Sequence, residues 1–159
     1  MTAGVVATSI LLCLLPIFEL RGGIPYAIAR GVHPLLACAM CVAANMLVGP
    51  LVYGFLATLH RLLSRIRPYR ALFERLVERA RKRIKPQIDR WGYLGLALFV
   101  AIPLPLTGAY TGALGAWVLG MEPRRAWLAI GFGVLIAGVV VTLVVTLGVT
   151  ALSIFVKPS

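Results

Sequence analysis

Apolar runs bounded by clusters of charge set the pattern of this chain. Residues 35–60 and 126–156 are long, apolar and free of Asp, Glu, Lys and Arg. Each exceeds the ~20 residues that a helix rising 1.5 Å per residue needs to cross the hydrocarbon core of a bilayer. Four shorter apolar stretches, 3–18, 23–31, 91–103 and 108–119, have helical character but fall short of that length. The first two flank "ELRGGIP" (19–25) and the last two flank "IPLPLTG" (102–108). Each pair ends in Gly-x-x-Pro, at Gly31–Pro34 and Gly120–Pro123, with the proline placed to start the long helix that follows.

Short helix, Pro/Gly break, short helix, full span: this order occurs twice, over roughly residues 3–60 and 91–156. The pattern predicts an all-α polytopic membrane protein of two repeats. Residues 1–60 form the first membrane repeat, 61–90 a linker and 91–159 the second. If each broken pair is a re-entrant hairpin, it enters and leaves on one side, so each repeat crosses once and the two are inverted. Inverted repeats with broken helices are a recurrent transporter architecture. The competing topology lets the short helices span as tilted pairs, which strains the length of 23–31 and does not invert the halves.

Charge orients this arrangement. Between Arg61 and Arg90 lie eleven Lys and Arg residues against Glu74, Glu78 and Asp89, most of the chain's net charge of +11. By the positive-inside rule the linker is cytoplasmic, which puts Gly31–Pro34 outside, Arg124 and Arg125 inside and both termini outside. A basic block can also bind nucleic acid, but one joining two membrane halves needs no such partner. Within it, Leu72, Phe73, Leu76, Val77, Ala80 and Ile84 recur at helical spacing between Pro68 and Pro86, predicting a basic amphipathic helix on an anionic inner leaflet. The composition agrees: 60% hydrophobic, mean hydropathy +0.94, too little polar surface for a soluble domain of 159 residues. The N-terminus lacks the basic start of a secretory signal and reads as retained structure.

Glu19 and Arg21 then stand out, because a charge at mid-bilayer costs about 2.5–3.5 kcal/mol and calls for a partner and a use. In a regular helix residues i and i+2 point apart. In a loop opened by Gly22, Gly23 and Pro25 both face one polar chamber, where exposed backbone is tolerated. The second motif carries Pro103, Pro105, Thr107, Gly108 and Tyr110, and helices starting near Gly23 and Gly108 would aim N-terminal amides at that chamber. Arg21 suits phosphate or carboxylate, and Glu19 is a candidate proton carrier. The plainer reading is a structural ion pair. Asn45 is expected to hydrogen-bond across helices, and Thr142, Thr146 and Thr150 to bond back to their own helix. Cys38 and Cys41 have CxxC spacing, but with Asn45 and Gly49 they form a small-residue packing stripe and no second pair completes a zinc site.

"ELRGGIP" (19–25) with "IPLPLTGAYTGALGA" (102–116) resembles the small multidrug export protein family over nearly the whole chain. That family looks like a compact, distant relative of the DedA/VTT superfamily, whose members have two opposed re-entrant hairpins and in some cases move undecaprenyl phosphate or other lipids with ion coupling. The resemblance implies functional roles for Glu19 and Arg21 in the first motif and Pro103, Pro105, Thr107 and Gly108 in the second. The chain departs from the DedA pattern in having no arginine in the second hairpin. Together these readings predict a multi-pass inner-membrane transporter, homodimeric, contacting anionic lipids and moving an anionic amphiphile such as a lipid phosphate with proton coupling. The alternatives are small-molecule or multidrug export by proton antiport, and a non-transporting scaffold. No metal cluster, nucleophile–base pair or cofactor loop occurs in the sequence, so neither an enzyme nor a cofactor is expected.

Overall fold

The computed structural model describes residues 3–63, 67–104 and 107–156. These form helices α1 (Ala3–Leu14), α2 (Glu19–Ala29), α3 (Pro34–Met46), α4 (Val48–Leu63), α5 (Arg67–Ala101), α6 (Ala109–Val118) and α7 (Pro123–Val156), with no strand among the described residues. Pro34–Leu56 and Pro123–Val149 are long and apolar enough to cross a membrane, with mean hydropathies of 2.1 and 2.8. The expected 35–60 helix is interrupted by a turn at Leu47. Pro50 accounts for the interruption: it has no N–H for the carbonyl of Met46, and its ring crowds that carbonyl.

The two halves share their order of elements down to individual hydrogen bonds. At the end of α2, the Val32 N–H donates to the Ala27 carbonyl at 3.0 Å and the Gly31 N–H to Ile28 at 2.9 Å. At the end of α6, the Met121 N–H donates to Ala116 at 2.9 Å and the Gly120 N–H to Trp117 at 3.1 Å. Both are Schellman caps, and both need the left-handed backbone that Gly31 (φ 81°) and Gly120 (φ 67°) adopt without a Cβ penalty. The next helix starts alike in each half, through Ala37 N–H to His33 and Ala126 N–H to Glu122, both 2.9 Å, with proline at the first helical position. Gly31 and Gly120, Pro34 and Pro123, and Gly23 and Gly112 all stand 89 positions apart. Gly-x-x-Pro is therefore one complete helix-to-helix connection used twice.

Contacts divide the chain into two compact units, residues 1–45 with 135–159, and residues 46–134. In the first unit α1 packs on α2, and Gly138 of α7 admits the Val42 side chain where a Cβ would collide with it. In the second unit α4 and α5 both pack on α6. Small residues make these approaches: a Cβ on Gly115 would strike Ile84, and one on Gly133 would lie 2.5 Å from the Ala97 carbonyl oxygen.

Helix α5 is kinked at Gly92 (φ 55°, ψ −129°). Its basic part before the kink is helical as expected but runs on through Pro86, which was expected to end it, and α6 takes much of its apolar stripe. Ala80 and Ile84 are buried, and Phe73 meets Trp117 edge-on with ring centroids 6.3 Å apart. Leu72 and Leu76, one step round the same helix, remain exposed.

Candidate functional site

The first chain break lies upstream of where the glycines suggest. Residues 15–18, Leu-Pro-Ile-Phe, form the turn, and Glu19 to Ala29 are helical, including Gly22, Gly23 and Pro25. Pro16 explains the early break, since proline removes a helical donor and disfavours helix in the residue before it. Gly22 and Gly23 therefore do not open a loop. Gly23 instead permits close packing, because a Cβ there would collide with the Cys13 sulfur and lie 2.9 Å from the Ser9 carbonyl and 3.1 Å from the Cys41 sulfur.

The unusual feature at this charged pair is the backbone of Glu19 itself. Glu19 opens α2 with φ 45°, the one non-glycine residue in that region among those described. It is 9% exposed. Its N–H donates to Leu15 at 3.0 Å, and the Gly22 N–H donates to Phe18 at 3.0 Å. A left-handed backbone at a residue with a Cβ costs of order 1 kcal/mol or more and persists where the surroundings hold it. Arg21, half-buried in the first turn, interacts electrostatically with Glu19. The same carboxylate acts on Cys13, which shares a hydrogen bond with Cys41. Ser9, one turn before Cys13, is fully buried and donates to Val5 at 2.8 Å.

Asn45 extends this polar region along α3. It lies four residues past Cys41, hence on the same helix face, and is 1% exposed. Neither its amide nitrogen nor its amide oxygen has a hydrogen-bond partner among the described residues. The cross-helix hydrogen bond expected of it is not formed. The cysteines also pair differently from their spacing: Cys41 joins Cys13, while Cys38 rests on Gly138 at ordinary van der Waals distance from a Cβ there, a packing role. No group of three or more His, Cys, Asp or Glu gathers among the described residues.

The second motif belongs to the other unit and forms its own local structure. Pro103 is half-buried in the break after α5, and Pro105 lies outside the described residues. The Thr107 hydroxyl lies 2.7 Å from the Ile102 carbonyl and 2.8 Å from that of Leu104, and accepts from the Leu104 N–H at 3.1 Å. That hydroxyl ties the loop to itself. Gly108 (φ 156°) precedes α6, its carbonyl accepts from Gly112 at 2.8 Å, and Tyr110 is half-buried in the first helical turn. The helix start expected near Gly108 is found at Ala109, whereas the one expected near Gly23 begins at Glu19. Thr142 and Thr146 bond back to Gly138 and Thr142 as expected, at 2.7 and 2.6 Å, and the Thr150 side chain lies outside those described.

Sequence reasoning found the charged pair but missed the left-handed Glu19, the Cys13–Cys41 pair and the unsatisfied Asn45. One signal was legible: 89 positions on from Glu19, the spacing that separates Gly31 from Gly120, stands Gly108.

The sequence profile of the family described as "Putative small multi-drug export protein" matches residues 19–140, and the chain belongs to that family. No curated protein and no solved structure matches the chain. Family membership and the two apolar spans together make it a membrane protein of an export family.

Proposed function

We propose that this member of the small multi-drug export family is a multi-pass inner-membrane transporter that moves an anionic amphiphile, a lipid phosphate above all, with its movement coupled to protons through Glu19. One observation carries the reading. Glu19 is buried, left-handed and electrostatically engaged with Arg21. A residue held in a costly backbone conformation beside a charge is retained for its side chain.

The mechanism follows from one arginine facing two anions. Ionised, Glu19 occupies Arg21. Protonated, it leaves the guanidinium to a phosphate, which it can grip with two parallel hydrogen bonds. Anion binding and proton uptake are then linked through a single cation. Pro103, Pro105, Thr107, Gly108 and Tyr110 serve as the matching motif of the second repeat. The duplicated caps support an origin by repetition. The opposite orientation of the halves, re-entrant hairpins, kinship with DedA/VTT proteins and a homodimer complete the reading as proposals.

The family description favours a second substrate class, a small-molecule drug exported by proton antiport. A cationic drug would use Glu19 as its counter-ion and be opposed by Arg21. The test is transbilayer movement of a polyprenyl phosphate in proteoliposomes of wild type, Arg21→Ala and Glu19→Gln. Movement abolished by Arg21→Ala supports the anion reading. No movement above empty liposomes removes it, and drug efflux that survives Arg21→Ala but not Glu19→Gln establishes the alternative.

A further inference from the structure

The second unit has no arginine within its own membrane motif, yet the fold brings one there. The basic part of α5 turns back at Gly92 and packs on α6, which places Arg83 on the wall of a half-open cavity of about 380 Å³ beside the second chain break. Phe99, Ile102, Leu104, Thr107 and Trp91 line the same cavity. The lining is mostly apolar and Arg83 is its one charged residue. Leu72, Leu76, Arg79 and Arg83 follow one another at spacings of four, three and four along one helix edge, and both leucines are exposed. An apolar edge ending in an arginine over an apolar cavity matches an amphiphile in shape and in sign.

We propose that this cavity binds the head region of an anionic membrane phospholipid, its phosphate on Arg83 and the start of an acyl chain along Ile102 and Leu104. Its lining residues all belong to the second unit and include neither Glu19 nor Arg21, and lipid binding there does not depend on transport by them. Three features of the chain select this occupant. The cavity opens beside the long basic segment, which concentrates acidic lipid at a membrane surface. A guanidinium is the side chain best suited to a phosphate diester. The volume accommodates a head group and the first part of a chain, and leaves the remaining chain to the bilayer.

Trp91 gives the site its own reporter. In vesicles of phosphatidylcholine doped with brominated phosphatidylglycerol, or at the same fraction with brominated phosphatidylcholine, bromine quenches nearby tryptophan. The Trp91 contribution is taken as the difference from Trp91→Phe. We expect the brominated anionic lipid to be favoured at Trp91 by about five-fold, the effect of one basic residue at an anionic surface. Arg83→Ala should abolish that preference. Lys82→Ala, which removes the same charge one residue away, should keep it. Equal quenching by the two lipids in wild type would reduce the cavity to ordinary annular contact and overturn the proposal. A preference that survives Arg83→Ala, or that falls equally with Lys82→Ala, would assign it to diffuse surface charge and overturn it too. None of these readouts requires transport, so failure here leaves the Glu19 mechanism standing, and failure of that mechanism leaves this site.

Discussion

Trp127 donates its indole N–H to the backbone carbonyl of Met46 at 3.0 Å, an acceptor that the chain's own helix leaves without its usual donor. The residue four positions on from Met46 is Pro50, which has no N–H to give. The indole fits because residue 49 is glycine: a Cβ there would lie 2.9 Å from Trp127 Cδ1. A backbone break within an apolar span is thereby closed by a side chain from α7, as membrane helices require of any exposed carbonyl.

Removing that donor should matter only while the proline is present. Trp127→Phe is expected to cost about 1–2 kcal/mol, the penalty of an orphaned carbonyl. In a Pro50→Ala background, where the substituted residue regains a backbone N–H and can supply the helical hydrogen bond, most of that cost should vanish. Unfolding of the four proteins in a double-mutant cycle measures the coupling. An equal cost in both backgrounds would show that the indole contributes by packing alone.

Gly23 should be intolerant of a single methyl. A Cβ there meets Cys13, the Ser9 carbonyl and Cys41, whereas one on Gly54 of α4 meets nothing within 4 Å. Gly23→Ala is expected to destabilise by about 1–3 kcal/mol through overpacking, and Gly54→Ala to be neutral or stabilising by up to about 1 kcal/mol through helix propensity. Cys13→Ala should relieve part of the Gly23→Ala penalty, since the thiol is the nearest obstacle. Unfolding in detergent compares the set, and a Gly23→Ala protein as stable as wild type would rule out the close α1–α2–α3 packing.

How far the sequence could be read depended on the range of the interaction. Gly31, Pro34, Gly120 and Pro123 act within a few residues of themselves, so the connections they build were legible, as were the starts of α3 and α7. Leu47 was not, because Pro50 acts four residues upstream and only the tertiary contact from Trp127 makes the break tolerable. At the site, the charges of Glu19 and Arg21 marked the right segment. Their geometry was misplaced, because Gly22 and Gly23 read equally well as loop formers or as packing residues. Only the packed neighbours Cys13 and Cys41 decide between those uses. Arg83 lies outside both motifs in sequence and reaches the second break through a fold-back at Gly92 that no local pattern announces.

The ion pairs on the linker helix should contribute almost nothing. Lys82 and Glu78 meet at 2.7 Å with both side chains largely exposed. Lys82, by hydrogen bond and by charge, holds the Glu78 carboxyl below its ordinary range. Such a pair stabilises the fold above the ordinary carboxylate range, and the contribution disappears as pH falls through the lowered value of Glu78. Solvent and salt screen it, so Lys82→Ala should leave the melting temperature unchanged at neutral pH. A clear drop on thermal unfolding would mean that the pair is more enclosed than its exposure indicates.

Glu19→Gly separates the two demands placed on this position. Gly108, 89 positions on, takes φ 156° without a Cβ before α6, while Glu19 takes φ 45° with a Cβ at the start of α2. Replacing Glu19 by glycine removes that backbone strain, of order 1 kcal/mol, and also removes a buried carboxylate. It loses the attraction to Arg21 in return. The variant is therefore expected to unfold no earlier than wild type and to be inactive in proton-dependent transport, the trade expected where a functional residue is held against local preference. Glu19→Gln keeps the Cβ and should retain the strain without the proton. It should be equally inactive but less stable than the glycine variant. Should Glu19→Gly both fold and transport at the wild-type rate, Glu19 would be a structural partner of Arg21 and the proton pathway would have to run through another group.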